Sequence, residues 1–242
     1  MTRICTLADH EKVAQRAARE IAQHIDSARR ERGVAHVALS GGHTPERAHE
    51  LLAEAIEDWR DVEVWFADER CVGPEDEQSN YLMVRRTLLE RIPGARPTVH
   101  RMEGELGPET GAERYAQALQ ANVAAEEAGL PVLDVIVLGI GPDGHTASLF
   151  PGAPTLSSGE QAICLGVHNS PKPPPERITL SLAVLRAARR CLLPAVGAGK
   201  RDAVQGALGA ATPHVPASLL RKERLTLILD DAASPPPPLG HT

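Results

Sequence analysis

Four apolar residues, Val135-Ile136-Val137-Leu138, run directly into a glycine turn, Gly139-Ile140-Gly141-Pro142-Asp143-Gly144-His145-Thr146. This junction restricts the available folds more than any other stretch. Side chains alternate between the two faces of a strand, so a strand that is apolar without alternation must be covered on both. Such strands belong to mostly parallel sheets flanked by helices. In open sheets of that kind, ligand sites collect outside the carboxyl ends of the strands. The turn that carries Asp143 and His145 falls at such an end.

The rest of the chain repeats the alternation. A first strand is expected over 3–7, then a helix over 9–32 with Val13, Ala17, Ile21 and Ile25 on one face, Asp9 as N-cap and Gly33 as terminator. A strand over 34–39 runs into Ser40-Gly41-Gly42-His43-Thr44-Pro45, where Thr44 is a fitting N-cap and Pro45 a fitting first helical residue for a helix to Asp58. Further strands are expected at 62–67, 98–102, 133–138, 162–167, 177–182, 191–196 and 225–229, and further helices at 79–90, 111–128, 182–189 and 200–208. No internal repeat interrupts the pattern. The expectation is an α/β fold, Rossmann-like, with a mostly parallel sheet and helices on both faces, in one domain over 1–232 followed by a proline-rich tail over 233–242.

Aromatic residues are only 2% of the chain against 42% apolar residues, so the core has to be built from Ala, Val, Leu and Ile. That composition suits parallel strands under alanine-rich helices. The net charge of −6 argues against nucleic acid or an anionic membrane surface as partner, while leaving room for a local basic pocket. Cys5, Cys71, Cys164 and Cys191 are widely spaced with no C-x-x-C pair, which points to free thiols in or beside strands and not to a disulfide framework or zinc site. Met1-Thr2-Arg3-Ile4-Cys5 lacks the apolar run of a signal peptide, and no stretch reaches the ~20 apolar residues of a membrane span. A soluble cytoplasmic protein is expected.

Three strand ends carry groups capable of chemistry. Ser40 to Thr44 pairs small residues with a helix N-terminus, whose free N–H groups and positive dipole end suit a phosphate; an ordinary strand-to-helix turn has the same composition. Asp68-Glu69-Arg70 places three charges at the end of an apolar strand, where a solvated loop is the commoner outcome. At the third end, His145 is suited to accept a proton at neutral pH, and Asp143 is placed to orient it; a structural histidine is the alternative. Convergence of all three on one edge of a parallel sheet favours a catalytic site.

Gly139, Gly141 and Gly144 also spell G-x-G-x-x-G, and Glu160 lies near the distance at which a dinucleotide fold places its ribose-binding acid. Against that reading, Pro142 removes an N–H donor, Asp143 sets a carboxylate beside the pyrophosphate, and Pro151-Gly152-Ala153-Pro154 leaves no room for a long helix.

Taken in order, Ser40 to Pro45, Phe66-Ala67-Asp68-Glu69-Arg70-Cys71-Val72, Ser79-Asn80, Leu138 to Pro151, Pro171-Lys172-Pro173 and Arg177-Ile178-Thr179-Leu180-Ser181 resemble the 6-phosphogluconolactonases over about residues 35 to 205. The resemblance implies hydrolysis of 6-phospho-D-glucono-1,5-lactone to 6-phospho-D-gluconate in the oxidative pentose phosphate pathway, by a monomer without cofactor or essential metal. It implies His145 as general base, with Asp143, Arg70 and Asp68 in the catalytic group and Arg70 as candidate for the oxyanion or the phosphate. Ser40, Gly41, Gly42, Thr44, Lys172, Lys200, Asn80 and Arg177 are implied as the substrate and phosphate contacts. The fold is shared with glucosamine-6-phosphate deaminases, where a glutamate follows the histidine by five residues; that position here is Phe150, and the deaminase D-E-Y is Asp68-Glu69-Arg70. A deaminase-like enzyme and a sugar-phosphate sensor that binds without turnover remain the alternatives, although the chain keeps His145 and shows no basic helix-turn-helix.

Overall fold

A computed structural model describes residues 1–126 and 129–236. In chain order the elements are β1 (Arg3–Leu7), α1 (His10–Arg32), β2 (Ala35–Leu39), α2 (His43–Ala55), β3 (Val62–Phe66), β4 (Asp68–Arg70), α3 (Asn80–Thr87), β5 (Thr98–Val99), α4 (Pro108–Asn122), β6 (Val135–Val137), β7 (Cys164–Val167), β8 (Arg177–Leu180), α5 (Leu182–Ala187), β9 (Cys191–Ala195), α6 (Arg201–Leu208) and β10 (Leu225–Asp230).

Seven strands form one sheet in the order β1-β10-β9-β6-β2-β3-β5, and every neighbouring pair in it is parallel. Every residue of β2, β6, β9 and β10 is buried. Because successive side chains point to opposite faces, both faces are covered, as the unalternating apolar runs require. From β2 the chain steps outward to β3 and β5, then returns to lay β6 on the other side of β2. The sheet therefore changes direction between β2 and β6, where open α/β sheets have their crevice.

Local chemistry accounts for most boundaries. Asp9 accepts a hydrogen bond from the Lys12 amide at 2.8 Å and caps α1, and Gly33 ends it in the left-handed region at φ 80°. Ser79 caps α3 and Ser181 caps α5 in the same manner as Asp9. Start of α2 differs from expectation. Gly42, with φ 112°, turns the chain out of β2 so early that the helix begins at His43, leaving Thr44 and Pro45 inside the first turn and not at the cap. Pro45 is tolerated there because first-turn amides need no intrahelical partner. Similarly, α4 begins at Pro108 and ends at Asn122, earlier at both ends than the expected 111–128, of which residues 127 and 128 lie outside the described residues.

A second, antiparallel sheet, β4-β8-β7, was not readable in the sequence. The charged run Asp68–Arg70 is its first strand, separated from β3 by Ala67 alone. Ala67 joins the two sheets: its N–H donates to Leu39 O at 2.8 Å in the large sheet, and its carbonyl accepts from Leu180 N at 2.8 Å beside the small one. Helix α4 packs on β7 and β8, while α1 packs on α2 and on β2, β9 and β10.

All four cysteines are free; only Cys191 is buried, and Cys5, Cys71 and Cys164 are half-buried. Ala233 is fully buried and Ser234 bonds the Asp230 carbonyl at 3.0 Å, so the main chain stays attached beyond β10. Residues 237–242 of the expected proline-rich tail lie outside the described residues. Among the described residues no helix is long and apolar enough to cross a membrane.

Short β5 leaves the outer edge of β3 unpaired beyond Val64, and the phenol of Tyr115 fills the gap. It accepts from Phe66 N at 2.7 Å and donates to Phe66 O at 3.1 Å, all within the core. Tyr115→Phe strands both groups in a buried place and is expected to cost about 1–3 kcal/mol, read as a lower urea midpoint at unchanged m-value; a midpoint equal to that of the parent would show that the pair is met by other means.

Candidate active site

The carboxyl ends of β2, β6 and β9, together with β4 and the loop that precedes β8, enclose one cavity of about 490 Å³. Ser40, Gly41, Gly42, Thr44, Asp68, Arg70, Asn80, His145, Lys172, Arg177 and Lys200 all line it. Of the twelve residues singled out from the sequence, only Asp143 is not in the wall, and it bonds a residue that is. The three expected strand ends do converge. An added Cβ on Gly139 would lie 4.0 Å from Gly41 O, so the turns after β2 and β6 run side by side.

The turn after β6 is built around the histidine. Gly141 N donates to His145 O at 2.9 Å and Gly144 N to Gly141 O at 2.9 Å, which closes the loop on itself. Gly144 needs its φ of 81°. A Cβ on Gly141 would stand 2.0 Å from His145 Nδ1 and 2.4 Å from Asp143 Oδ1, so only glycine lets the ring and the carboxylate meet. These bonds consume two of the glycine N–H groups a pyrophosphate would use, and no α-helix follows before α5. The turn is not a dinucleotide loop.

His145 Nδ1 lies 2.5 Å from Asp143 Oδ1. A carboxylate only accepts, so Nδ1 carries the proton and Nε2 keeps its lone pair. Burial pushes the His145 ring below its ordinary 6.5, and the charge of Lys172 adds to this, while Asp143, by hydrogen bond and charge, and Asp68 oppose it. Burial would raise the Asp143 carboxyl, but the His145 hydrogen bond and the charges of His145 and Lys172 outweigh it and hold the group below its usual range. The ring is therefore neutral and able to accept at pH 7. Phe150, buried, covers it with ring centroids 4.7 Å apart.

Asp68 is buried and held from two sides: Ser148 Oγ donates to Oδ2 at 2.7 Å, and Asn80 Nδ2 reaches its carbonyl at 2.9 Å and Oδ1 at 3.3 Å. Asn80 in turn packs into the space a side chain on Gly41 would need, 1.9 Å from the missing Cβ. Glu69, also buried, points away from the cavity and accepts from Ser79 Oγ at 3.0 Å and from the amides of Asn80 and Tyr81 at 2.7 Å each, which anchors the start of α3. Burial raises its pKa despite those bonds. Ser148 escaped the sequence reading because only the folded chain brings it to Asp68, 80 positions earlier. Pro194, Ala195 and Val196 of the wall escaped it because strand order, which makes β9 the neighbour of β6, is not written locally.

Cations surround the two carboxylates. Arg70 donates from Nη1 to Gln78 O at 2.5 Å, and its Nε is buried without a partner. Ser40 Oγ is likewise buried and unpartnered at the N-terminus of α2. Lys200 donates to Ile140 O at 2.6 Å, and burial lowers its pKa, with Lys172 adding to the effect and Asp143 opposing it. Arg177, 4% exposed, spends Nε and Nη2 on the carbonyls of Lys172, Pro173 and Pro174 at 3.0–3.2 Å, so it braces the lysine loop as well as facing the cavity.

Comparison with known proteins shows the family and the fold. The family model described as glucosamine-6-phosphate isomerases/6-phosphogluconolactonase matches residues 8–229. A 6-phosphogluconolactonase of Streptomyces coelicolor is 40% identical over 238 residues, covering 93% of this chain and 90% of the relative. The solved structure of a 6-phosphogluconolactonase from Trypanosoma cruzi superposes with a TM-score of 0.85 at 27% identity, covering 96% of each chain. A monomeric glucosamine-6-phosphate deaminase shares the fold, with a TM-score of 0.79 at 21% identity over 96% of this chain and 98% of its own.

Asp143 raises the basicity of His145, so Asp143→Asn is expected to move the ring's titration midpoint further below 6.5. Proton NMR of the His145 ring across pH 4 to 8 reads this directly, and an upward shift would mean that the carboxylate does not face the ring in solution.

Proposed function

This chain belongs to the family of glucosamine-6-phosphate isomerases and 6-phosphogluconolactonases, and we propose that it hydrolyses 6-phospho-D-glucono-1,5-lactone to 6-phospho-D-gluconate, in the oxidative pentose phosphate pathway. The observation that carries the reading is the Asp143–His145 pair in a cationic cavity, with Nδ1 engaged and Nε2 free.

In the reaction, His145 Nε2 takes a proton from a water as its oxygen attacks lactone C1. Asp143 holds the ring in the productive tautomer and stabilises the imidazolium that forms. Charge then builds on the carbonyl oxygen, and the guanidinium of Arg70, which lines the cavity, is the donor assigned to meet it. Collapse of the tetrahedral intermediate breaks the bond from C1 to the ring oxygen, and the proton on His145 passes to that oxygen. Water is the only co-reactant and no electrons change hands, so the chemistry calls for no cofactor. Ser40 Oγ, the Gly41 and Gly42 backbone and the first turn of α2 at Thr44 supply the phosphate seat, with Lys172 and Lys200 adding charge. Asp68, pinned by Ser148 and Asn80, offers an acceptor to the sugar's hydroxyls.

Deamination is the weaker reading. The position that carries the deaminase glutamate is Phe150, an apolar ring packed on His145 and lying under the Arg177 guanidinium at 5.7 Å. Binding without turnover is disfavoured by the oriented, neutral base. A hydrophobic cluster running from Ala18 to Ala233 supports a single catalytic domain, which extends past the expected boundary at 232 to at least Ala233. Among the described residues, large exposed apolar side chains are scattered, at Met1, Ile4 and Leu106, which supports a monomer, and the four free cysteines suit a reducing cytoplasm.

His145→Ala is expected to lower kcat for the freshly prepared phosphorylated lactone by about 10²–10⁴-fold after correction for spontaneous hydrolysis, with 6-phosphogluconate binding retained. Turnover equal to that of the parent would remove His145 from the role of base.

A further inference from the structure

Lys172 stands in an unexpected place for a residue that only grips a phosphate. Its Nζ is 3.3 Å from His145 Nδ1 and 3.7 Å from Asp143 Oδ1, so the ammonium leans on the catalytic pair. Nδ1 carries the proton shared with Asp143 and offers Lys172 no lone pair; what holds the ammonium there is the Asp143 carboxylate, which thus serves two cationic partners at once. Resting on the lactonase reading above, we propose that Lys172 restrains the Asp143–His145 pair in the free enzyme, and that the substrate's phosphate draws the ammonium away, so that the phosphate accelerates the chemical step as well as anchoring the lactone.

The main chain and the head of Lys172 differ in freedom. Arg177 and Ser170 both bond the Lys172 carbonyl, at 3.1 and 2.9 Å, and the Lys172 amide donates to Ser170 Oγ at 3.2 Å, so the backbone is fixed. The side chain is 41% exposed on a four-carbon stem and free to swing. Of the four cations lining the cavity, Arg70, Arg177 and Lys200 are each tied to a main-chain carbonyl, and Lys172 alone is not. An entering dianion therefore finds one mobile cation, and the charge that this cation leaves behind belongs to Asp143.

Coulomb's law gives the consequence. Attack on the lactone transfers a proton to His145, and a second positive charge about 3 Å from the ring opposes that transfer far more than one that has moved several ångströms away onto a phosphate. The other titratable groups that face the ring are Asp143 on its own turn and Asp68 on β4; Lys200 faces the pair through Asp143, and Arg70 and Arg177 line the same cavity. With Lys172 withdrawn, the ring is left to its carboxylates and becomes the stronger base.

The test uses two lactones, phosphorylated and unphosphorylated glucono-1,5-lactone, with phosphite dianion as the missing piece. Lys172→Ala is expected to hydrolyse the unphosphorylated lactone at least about three-fold faster than the parent, and phosphite to accelerate the parent but not the variant. On the phosphorylated lactone the variant's KM rises about ten-fold or more while kcat stays within about two-fold. In the parent, the acid limb of kcat/KM, which reports the free enzyme, lies at lower pH than that of kcat, and in the variant the two limbs draw together because the ammonium no longer favours the neutral ring. Should Lys172→Ala lose as much activity on the unphosphorylated lactone as on the phosphorylated one, the ammonium acts on the oxyanion and the proposal falls. Inhibition of the parent by phosphite would likewise reduce the phosphate to an anchor. A parent that hydrolyses neither lactone would overturn the underlying lactonase reading instead, which separates the two failures.

Discussion

β2 and β6 are held side by side by two registered pairs, Val37 with Val135 and Ala38 with Ile136, and everything at the catalytic edge depends on that short ladder. It sets the turn that carries Gly41 and Gly42 against the turn that carries Gly139 to His145. Neither strand has a polar residue to spend on solvent along this contact, so burial on both faces fixes their level, and a slip of one residue would send each apolar side chain to the opposite face. The direction change of the sheet at this pair then opens the cavity that the site residues line. In this sense the core fixes the spacing of the site, and the loops supply its chemistry.

The small antiparallel sheet adds a second, perpendicular kind of support. By leaving β3 through a single residue, Ala67, the chain carries Asp68 and Arg70 across to β8, where Asp68 pairs in register with Thr179 and Arg70 with Arg177. Two cavity-lining charges and the brace of the lysine loop thus share one ladder. Glu69, between them, faces the other way and holds α3, and α3 delivers Asn80 back to Asp68. A run of three charges reads as solvated loop; here alternation along a strand divides it between a site and a helix cap.

The class of fold was legible because apolar runs without alternation admit few arrangements, and the Asp143–His145 contact was legible because Gly141, Asp143 and His145 are close in sequence. Thr44 was misplaced as a helix cap because the left-handed Gly42 ends the loop sooner than side-chain preferences suggest. The antiparallel sheet was missed because its first strand, Asp68–Arg70, is three charged residues without periodicity, although strands were expected where β7 and β8 lie. Ser148 and the wall contributed by β9 depend on which strands become neighbours, a property of the whole chain and not of any window along it. Arg177 shows the difference most clearly: the resemblance implied it only as a substrate contact, while the structure adds a second role, with three main-chain carbonyls accepting from its guanidinium.

Phe150 contacts two groups of the site, the His145 ring at 4.7 Å between centroids and the Arg177 guanidinium at 5.7 Å from its own centroid. A carboxylate at this position would meet the guanidinium as a salt bridge, competing with the carbonyls of Lys172, Pro173 and Pro174 for the same donors. Exchange of the aromatic ring for an acid therefore cannot be a local change of reagent, since it also releases the loop on which the lysine travels. Descent from one chemistry to the other on this scaffold has to rebuild the loop and the acid together, which makes the two activities neighbouring valleys with a ridge between them and not points on a slope.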